Sequence, residues 1–164
     1  MNPTNDSYRV DETSIKVKGK LKYLYRAVDS KCNTIDFLLT AKRDKDAAKR
    51  FFTQAIEKHE EPAKITLDGY EASHQAVAAL KKTGILPNGT LVRTNKYLNN
   101  IIEQDHRRIK QRIRPMLGFK VFSKAAIAIS GIELVQKIKK GQFDLTALNQ
   151  GTQIPQIWEA ALAA

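Results

Sequence analysis

The feature that most constrains the fold is a change in the spacing of apolar residues just after Thr40. Before it, apolar and polar residues alternate in runs separated by turn residues, which is typical of strands. After it, apolar residues recur every three or four positions, which is typical of helices. The first part predicts three antiparallel strands at 8–17, 21–28 and 34–40, with a tight turn at Lys18-Gly19-Lys20. In the third strand Ile35, Phe37 and Leu39 alternate and are expected on one face.

The second part predicts helices that alternate with short strands. Asp44 and Ser123 are suitable N-cap residues, and Gly84 and Gly141 follow the ends of predicted helices. The expected helices lie at 44–58, 71–83, 100–114 and 123–139, and the expected strands at 64–68 and 90–94. The last helix is rich in apolar residues, among them Ile127 and Ile129. This order predicts an α/β protein of the ribonuclease H-like (retroviral-integrase-like) class, with a mixed five-stranded sheet flanked by helices.

A chain of 164 residues is long enough for one domain with a substantial core. We expect a disordered N-terminus at 1–7, a catalytic core at 8–141, and a C-terminal tail at 142–164 that can hold a short helix. No apolar run reaches the length of a membrane span, and the N-terminus lacks a signal-peptide core. The expected location is therefore the cytoplasm.

Cysteine and histidine usage excludes several kinds of site. Cys32 is the only cysteine, so an internal disulfide or a cysteine-based zinc cluster is excluded. His59, His74 and His106 are far apart in sequence and lack metal-ligand spacing. We interpret all three histidines as surface or partly buried residues.

The charge of the chain favours a polyanionic partner. The net charge is +11, with 28 lysines and arginines against 17 acids. Cations are concentrated between Arg93 and Arg114, where Glu103 and Asp105 are the only acids. Such a patch is typical of nucleic-acid binding. A lipid surface is the rival partner, but this segment lacks the broad apolar face with aromatic residues that membrane binding requires.

The predicted helix at 100–114 has one basic and one apolar stripe. A carboxylate on the basic stripe could hold a metal, and the cations one and two turns further on could hold phosphates. The basic stripe consists of Glu103, Arg107, Lys110 and Arg114, and the apolar stripe consists of Ile102, Ile109, Ile113 and Met116. The alternative is structural, because Asn100 and Glu103 have capping-box spacing and a basic helix face is often only solvated.

Three acids occupy positions that this fold could bring together. Asp11 lies in the middle of the first strand, Asp68 ends the fourth strand, and Glu103 lies in the first turn of the basic helix. Two of them have a clear structural alternative: Asp68-Gly69 is a common turn dipeptide, and Glu103 could serve only as a cap. The structural alternative is weakest for Asp11. Glu12, beside Asp11, is expected on the opposite, solvated face.

The residue types at these positions suit magnesium. Mg²⁺ prefers oxygen ligands in octahedral geometry, completed by water and substrate phosphate. Two such ions can clamp the attacking and leaving oxygens of a phosphoryl displacement. Without metal, converging carboxylates repel one another, and the pKa of at least one of them should rise.

Several segments resemble the catalytic domain of bacterial DDE-type insertion-sequence transposases. They are Arg9-Val-Asp-Glu-Thr13, Tyr23-Leu-Tyr-Arg-Ala-Val-Asp29, Lys96-Tyr-Leu-Asn-Asn-Ile-Ile-Glu-Gln-Asp-His-Arg-Arg-Ile-Lys110 and Arg114-Pro-Met-Leu-Gly-Phe-Lys120. The chain is most similar to the group of insertion sequences six and twenty-six, over about 8–142. The match around Asp68 is looser, although thirty-four residues, 69 to 102, separate it from Glu103 as in that group.

The resemblance implies a function and a set of site residues. Asp11, Asp68 and Glu103 would form the catalytic, metal-binding triad, and Lys110 would be the basic residue that follows the glutamate by seven positions. Arg107 and Arg114 are expected to contact phosphates beside Lys110. The cofactor would be Mg²⁺, as two ions, with Mn²⁺ able to substitute.

The implied partners are DNA and further copies of the chain. The protein would cleave strands at transposon terminal inverted repeats and transfer them to target DNA, as a homo-oligomer on the DNA. Such transposases carry a helix-turn-helix segment before the catalytic domain, whereas only ten residues precede Asp11. We therefore expect a truncated form. The alternatives are a catalytically inert remnant that binds DNA or inhibits full-length transposase by oligomerising with it, and a structure-selective nuclease.

Overall fold

A five-stranded sheet forms the centre of the fold in the computed structural model, which describes residues 4–95, 97 and 100–143. The elements follow the predicted order, and their ends lie within one or two residues of the prediction. The strands are β1 (Ser7–Val17), β2 (Lys20–Val28), β3 (Thr34–Thr40), β4 (Lys64–Leu67) and β5 (Leu91–Thr94). The helices are α1 (Lys45–Lys58), α2 (Glu71–Lys82), α3 (Asn100–Ile113) and α4 (Phe122–Lys139), and a 3₁₀ turn at Arg114–Met116 follows α3.

The sheet is mixed, as predicted, with the strand order β3-β2-β1-β4-β5. β1, β2 and β3 form an antiparallel meander, whereas β4 runs parallel to β1 and β5 runs parallel to β4. Lys18 and Gly19 both have positive φ, at 50° and 73°, in the turn between β1 and β2. Positive φ at both central residues suits the right-handed twist of a two-residue hairpin.

Helices cover both faces of the sheet, so the sheet lies between two apolar layers. Tyr25 and Phe51 belong to the layer beneath α1 and α2, and Leu24 and Ile109 belong to the layer beneath α3 and α4. Each such side chain contributes roughly 1.5–3 kcal/mol when it is fully buried. Asp44 caps α1 as predicted, because its carboxylate accepts a hydrogen bond from the backbone N–H of Ala47 at 2.8 Å.

The third strand differs from its predicted pattern. Its register with β2 shifts between Ala27 and Val28, which inserts one extra residue at a β-bulge. As a result Ile35 packs in the layer with α1, whereas Phe37 and Leu39 pack in the layer with α3. The expectation that these three residues share one face is wrong, because a bulge resets the alternation of side chains.

The last helix also corrects the prediction. Its N-cap is Val121 rather than Ser123, and no side chain caps it. The apolar Ile127 is 71 % exposed, whereas the charged Glu133 is fully buried. The sequence pattern failed here because α4 is apolar around most of its surface, and a buried acid occupies one of its inward positions.

The end of α4 is joined to the start of β3. The backbone N–H of Thr34 donates to the Gln142 side-chain oxygen at 2.8 Å, and the Gln142 amide donates to the Thr34 carbonyl at 2.9 Å. The division into 1–7, 8–141 and 142–164 stays a prediction, and the short helix expected near the C-terminus lies outside the described residues. None of the described helices has both the length and the apolar character that a membrane crossing requires.

Candidate active site

The pairing of β1 with β4 brings the first two predicted acids together. Arg9 pairs with Thr66 at the end of the parallel β1–β4 ladder. Asp11 lies two residues beyond Arg9 and Asp68 lies two residues beyond Thr66, so the two acids occupy matching positions. Metal-ligand oxygens of Asp11, Glu12 and Asp68 all lie within 4.8 Å of one another. The structure therefore places Asp11 and Asp68 in one group, the acidic cluster, together with Glu12.

A local turn fixes the backbone around Asp68. The backbone N–H of Tyr70 donates to Asp68 Oδ1 at 3.0 Å, and His74 Nε2 lies 2.8 Å from the Asp68 carbonyl oxygen. The first contact is an Asx-type turn, which is the structural alternative considered for this residue. It occupies one carboxylate oxygen with a single hydrogen bond, so Asp68 retains capacity to accept further ligands.

Glu103 lies apart from the oxygens of the acidic cluster but acts on them electrostatically. It is exposed in the first turn of α3, and its negative charge helps to raise the pKa of Asp11. The structure thus brings Asp11 and Asp68 into direct proximity, with Glu103 on the adjacent helix.

Asp11 is an unusual carboxyl group. Burial, followed by the charges of Glu12 and Asp68, raises its pKa from 3.8 to about 7. The pKa of Glu12 is also raised by burial, although Arg43 acts against that increase. A rise of this kind is expected where carboxylates converge without a compensating cation.

Glu12 is held by a cation from the loop before α1. Its side chain is 2 % exposed and forms an ion pair with Arg43. The Arg43 guanidinium also stacks on Tyr70, with its central carbon 3.6 Å from the ring centroid. The expectation that Glu12 faces solvent is wrong, because its side chain is buried in the ion pair with Arg43.

His106 lies against Asp11, which the sequence did not indicate. Its Nδ1 is 3.6 Å from Asp11 Oδ2, and the residue is 5 % exposed. Burial, assisted by the positive charge of Arg26, lowers the pKa of His106 to about 3. A neutral imidazole therefore lies behind the acidic cluster at neutral pH, at a position that only the approach of α3 to β1 creates.

A buried ionic network, also missed from the sequence, holds α3 against the sheet. Arg26 on β2 contacts Asp105 on α3 at 2.7 Å and Glu133 on α4 at 2.6 Å. Lys140 Nζ contacts the same Asp105 oxygen at 2.8 Å. Burial raises the pKa of Asp105, but Arg26 and Lys140 outweigh it and lower that pKa overall. Asp105, the second acid between Arg93 and Arg114, thus has a structural role.

The two stripes of α3 are arranged largely as predicted. Ile102 and Ile109 are fully buried, and Ile113 is nearly so. Met116 is 46 % exposed, contrary to its assignment to the apolar stripe, because the α-helix ends at Ile113 and a 3₁₀ turn follows. The basic stripe is exposed along its whole length, at Glu103, Arg107, Lys110 and Arg114.

The donor atoms of the acidic cluster fit a hard divalent cation. They are carboxylate oxygens, which Mg²⁺ prefers, and burial together with the negative charges of Glu12 and Asp68 raises the pKa of Asp11. Nitrogen and sulfur donors suited to zinc are absent from this group of residues.

The mixed sheet, the strand order and the acidic cluster just beyond the end of the β1–β4 ladder define a ribonuclease H-like domain with a carboxylate site. Residues 5–142 match the model of a family described as "DDE domain", of the IS240 type of transposases. The chain belongs to this family of insertion-sequence transposase catalytic domains.

Curated relatives agree with this assignment. The transposase of the insertion sequence-like element IS431mec from Staphylococcus aureus strain Mu50 is 38 % identical over 133 residues, or 81 % of this chain. The transposase of IS257 in transposon Tn4003, also from Staphylococcus aureus, has the same identity and coverage. The chain spans 58 % of the length of each of these relatives.

A solved structure supports the fold. The catalytic core domain of HTLV-2 integrase, determined in complex with magnesium in a trimeric form, superposes with a TM-score of 0.61 at 17 % identity. The match covers 94 % of this chain and 97 % of that domain. At this level of identity the likeness shows the fold alone, which is the retroviral-integrase-like fold predicted from the sequence.

Proposed function

We propose that this chain is a metal-dependent polynucleotidyl transferase that cleaves DNA strands at transposon ends and joins them to target DNA. The observation that carries the proposal is the convergence of Asp11 and Asp68 at one edge of the sheet, beside a helix that presents Glu103 and three cations. Family membership supports the same reaction class. The alternative of a structure-selective nuclease has no specific observation in its favour.

Asp11, Asp68 and Glu103 are the residues that we propose to hold magnesium. Asp11 and Asp68 would supply two carboxylates from the acidic cluster, and Glu103 would supply a third from the first turn of α3. Bound ions would lower the pKa of the attacking hydroxyl and neutralise charge on the phosphate, and manganese could supply the same chemistry. We assign Glu12 outside this ligand set, because Arg43 already pairs with it.

The remaining residues of the site bind and orient. Arg107, Lys110 and Arg114 are exposed on the face of α3 that carries Glu103, where their charges can bind DNA phosphates in line with the acids. His106 supports the Asp11 carboxylate from behind, and the Arg26 network fixes the position of α3. Both features limit movement of the carboxylates relative to the bound backbone.

The proposed partners follow from this reaction. They are the terminal inverted repeats of a transposon, target DNA, and further copies of this chain, since two DNA ends must be held together for joining. The trimeric form of the HTLV-2 integrase core supports self-association. DNA transposition in bacteria places the activity at the nucleoid, in the cytoplasm.

The decisive experiment is strand transfer with pre-cleaved transposon-end duplexes, Mg²⁺ and the Asp68→Asn variant. The variant should fold normally, judged by circular dichroism, and its joining should fall to background because the cation loses a charged ligand. Asp46→Asn, exposed on α1 across the sheet, is the matched control and should retain full joining. Unchanged joining by Asp68→Asn would exclude the proposed triad.

A second candidate function rests on the exposed cations of α3, which could bind DNA without strand joining. The chain would bind DNA, or oligomerise with a full-length transposase, without joining strands. The same assay separates the two functions when it is run with the chain alone and then with added full-length relative. Robust joining by the chain alone excludes the inert form, whereas inhibition of the relative without joining supports it.

A further inference from the structure

A basic pocket lies beside the turn between β1 and β2, away from the acidic cluster. We name it the hairpin pocket; its volume is about 800 Å³, and it lies between that turn, the end of α3 and residues 117–120. Five of the residues that line it are cations, and none of them is acidic: Lys16, Lys18, Lys110, Arg114 and Lys120. A concave surface of one charge sign concentrates counterions of the other sign, so its ligand should be a polyanion.

The wall of the hairpin pocket is fixed by backbone hydrogen bonds. Val17 and Phe119 form an isolated parallel bridge. The backbone N–H of Lys18 donates to the Phe119 carbonyl at 2.5 Å, and the Phe119 N–H donates to the Lys16 carbonyl at 3.4 Å. The segment that carries Lys120 is therefore joined to the turn that carries Lys18, and both lysines lie on one preformed surface.

Leu117 at this pocket provides a second, independent observation. It has φ 53° and ψ 25°, a left-handed conformation that is unfavourable for leucine, and it is 96 % exposed. Its side chain gains little from packing within the described part of the chain. Non-glycine residues held in this backbone conformation cluster at active sites and at segments that clamp a ligand.

The position of the hairpin pocket relative to the acidic cluster identifies the polyanion. Lys110 and Arg114 belong to both the pocket and the basic stripe of α3, which begins at Glu103. At about 1.5 Å of rise per residue, these two cations lie roughly 10–16 Å along α3 from Glu103. Phosphates of one duplex strand are about 3.4 Å apart along the axis, so for a strand that follows the axis of α3 this distance corresponds to roughly three to five nucleotides.

We propose that the hairpin pocket binds the DNA backbone about three to five nucleotides from the reacting phosphate. In this site Lys18 and Lys120 pair with phosphates and Leu117 contacts the adjoining sugars. The inference rests on the proposed function, since it places the reacting phosphate at the acidic cluster. DNA is favoured over an acidic protein segment because two of the pocket's five cations, Lys110 and Arg114, also belong to the basic stripe that begins at Glu103.

The test combines a protein variant with neutralised phosphates. Methylphosphonates replace single phosphates at each position from one to twelve nucleotides from the reacting phosphate, in a transposon-end duplex and separately in a target duplex. Dissociation constants are measured by fluorescence anisotropy for the wild-type chain and for Lys18→Ala/Lys120→Ala. The control is Lys45→Ala/Lys82→Ala, two exposed lysines on α1 and α2, which cover the opposite face of the sheet.

For the wild-type chain, neutralisation three to five nucleotides away should weaken binding, whereas neutralisation ten or more nucleotides away should not. Lys18→Ala/Lys120→Ala should weaken binding roughly tenfold and reduce the salt slope by about two. In this variant, neutralising the same phosphates should cause no further loss of DNA affinity, because the two lysines that pair with them have been removed. Whichever of the two duplexes shows this pattern is the strand that the hairpin pocket holds.

Leu117→Asn tests the apolar contact, because asparagine tolerates the left-handed conformation. It should weaken binding severalfold with an unchanged salt slope. The inference is overturned if both variants bind like the wild-type chain, or if they change self-association without changing DNA affinity. That result leaves the proposed function intact as long as joining still requires Asp68, whereas a wild-type chain that binds no DNA overturns both.

Discussion

Arg26 Nη2 donates to Asp105 Oδ2 at 2.7 Å, a buried contact that joins β2 to α3 two residues beyond Glu103. The Nε of the same guanidinium donates to Glu133 Oε1 at 2.6 Å, so one cation holds α3 and α4 over the sheet. With Lys140 on Asp105, two cations balance two acids inside the protein. The network sets the position of α3, and therefore the direction in which Glu103 and the basic stripe face.

Replacing Arg26 should severely destabilise the fold. Arg26→Met leaves Glu133 and Asp105 buried with too little positive charge, which typically costs about 3–5 kcal/mol. Urea unfolding would measure the loss, and Arg50→Met, exposed on α1, should shift stability by less than about 0.5 kcal/mol. A loss below about 1 kcal/mol for Arg26→Met would show that the network does not fix α3.

This network could not have been predicted from the sequence. Arg26 lies 79 residues from Asp105 and 107 residues from Glu133, and no local pattern marks three charged residues that will meet in the core. Asp11 and Asp68 could be singled out from the sequence, because a carboxylate within a strand and one at a strand end are locally unusual. His106 could not be singled out from the sequence, because its position depends on how α3 packs across β1.

The stability of the metal-free chain should depend on pH through Asp11. Its pKa is raised to about 7 in the folded chain from an ordinary value of 3.8, so the folded chain keeps a proton that the unfolded chain releases. The stability from this group is therefore full below about pH 4 and is lost as the pH rises through about 7. Asp11→Asn removes the titration and should gain on the order of 4 kcal/mol relative to the wild-type chain between pH 4 and pH 8.

Urea midpoints at both pH values, measured with a chelator, would test this difference. His106 has the opposite dependence, because its lowered pKa gives stability that is lost as the pH falls from 6.5 toward 3. It is present in both proteins, so the difference between them reports Asp11 together with its contact to His106. Asp46→Asn serves as the surface control, and an Asp11→Asn difference that is constant with pH would contradict the raised pKa.

Magnesium should stabilise the wild-type chain through the acidic cluster. At a concentration about tenfold above the dissociation constant, a ligand that binds only the folded state adds about 1.4 kcal/mol. Thermal unfolding at pH 8 should therefore shift upward with Mg²⁺, and Asp68→Asn should abolish most of the shift. Sodium chloride at equal ionic strength is the control for screening. An equal shift in the variant would place the ion elsewhere.

The fold was more predictable than the burial of individual residues. Alternation in β1 and β2 and the helical spacing of α1 follow from contacts that each element makes along one face, so local patterns carry them. The pattern failed in β3, where a bulge separates Ile35 from Phe37, and in α4, where Ile127 is exposed. In both elements the inward face is chosen by neighbours distant in sequence.

Truncating a buried apolar residue of α3 should cost more stability than truncating an exposed apolar residue of α4. Ile109 is fully buried between α3 and the sheet, whereas Ile127 is 71 % exposed. Ile109→Ala should cost about 2–5 kcal/mol by leaving a cavity, and Ile127→Ala should cost less than about 0.5 kcal/mol. Chemical denaturation of the two variants gives the comparison directly. Similar losses would mean that Ile127 is covered, for instance in a self-associated form.

Lys110 on α3 should contribute to DNA binding through its charge rather than through the fold. It is exposed, seven positions beyond Glu103 on the basic stripe, so Lys110→Ala should leave the unfolding midpoint unchanged. Affinity for a transposon-end duplex should fall severalfold, and the slope of log affinity against log salt should decrease by about one, for one lost phosphate contact. Lys45→Ala on α1 supplies the matched lysine control. An unchanged affinity and slope in Lys110→Ala would reduce Lys110 to a solvated surface residue and leave the binding to the other cations of α3.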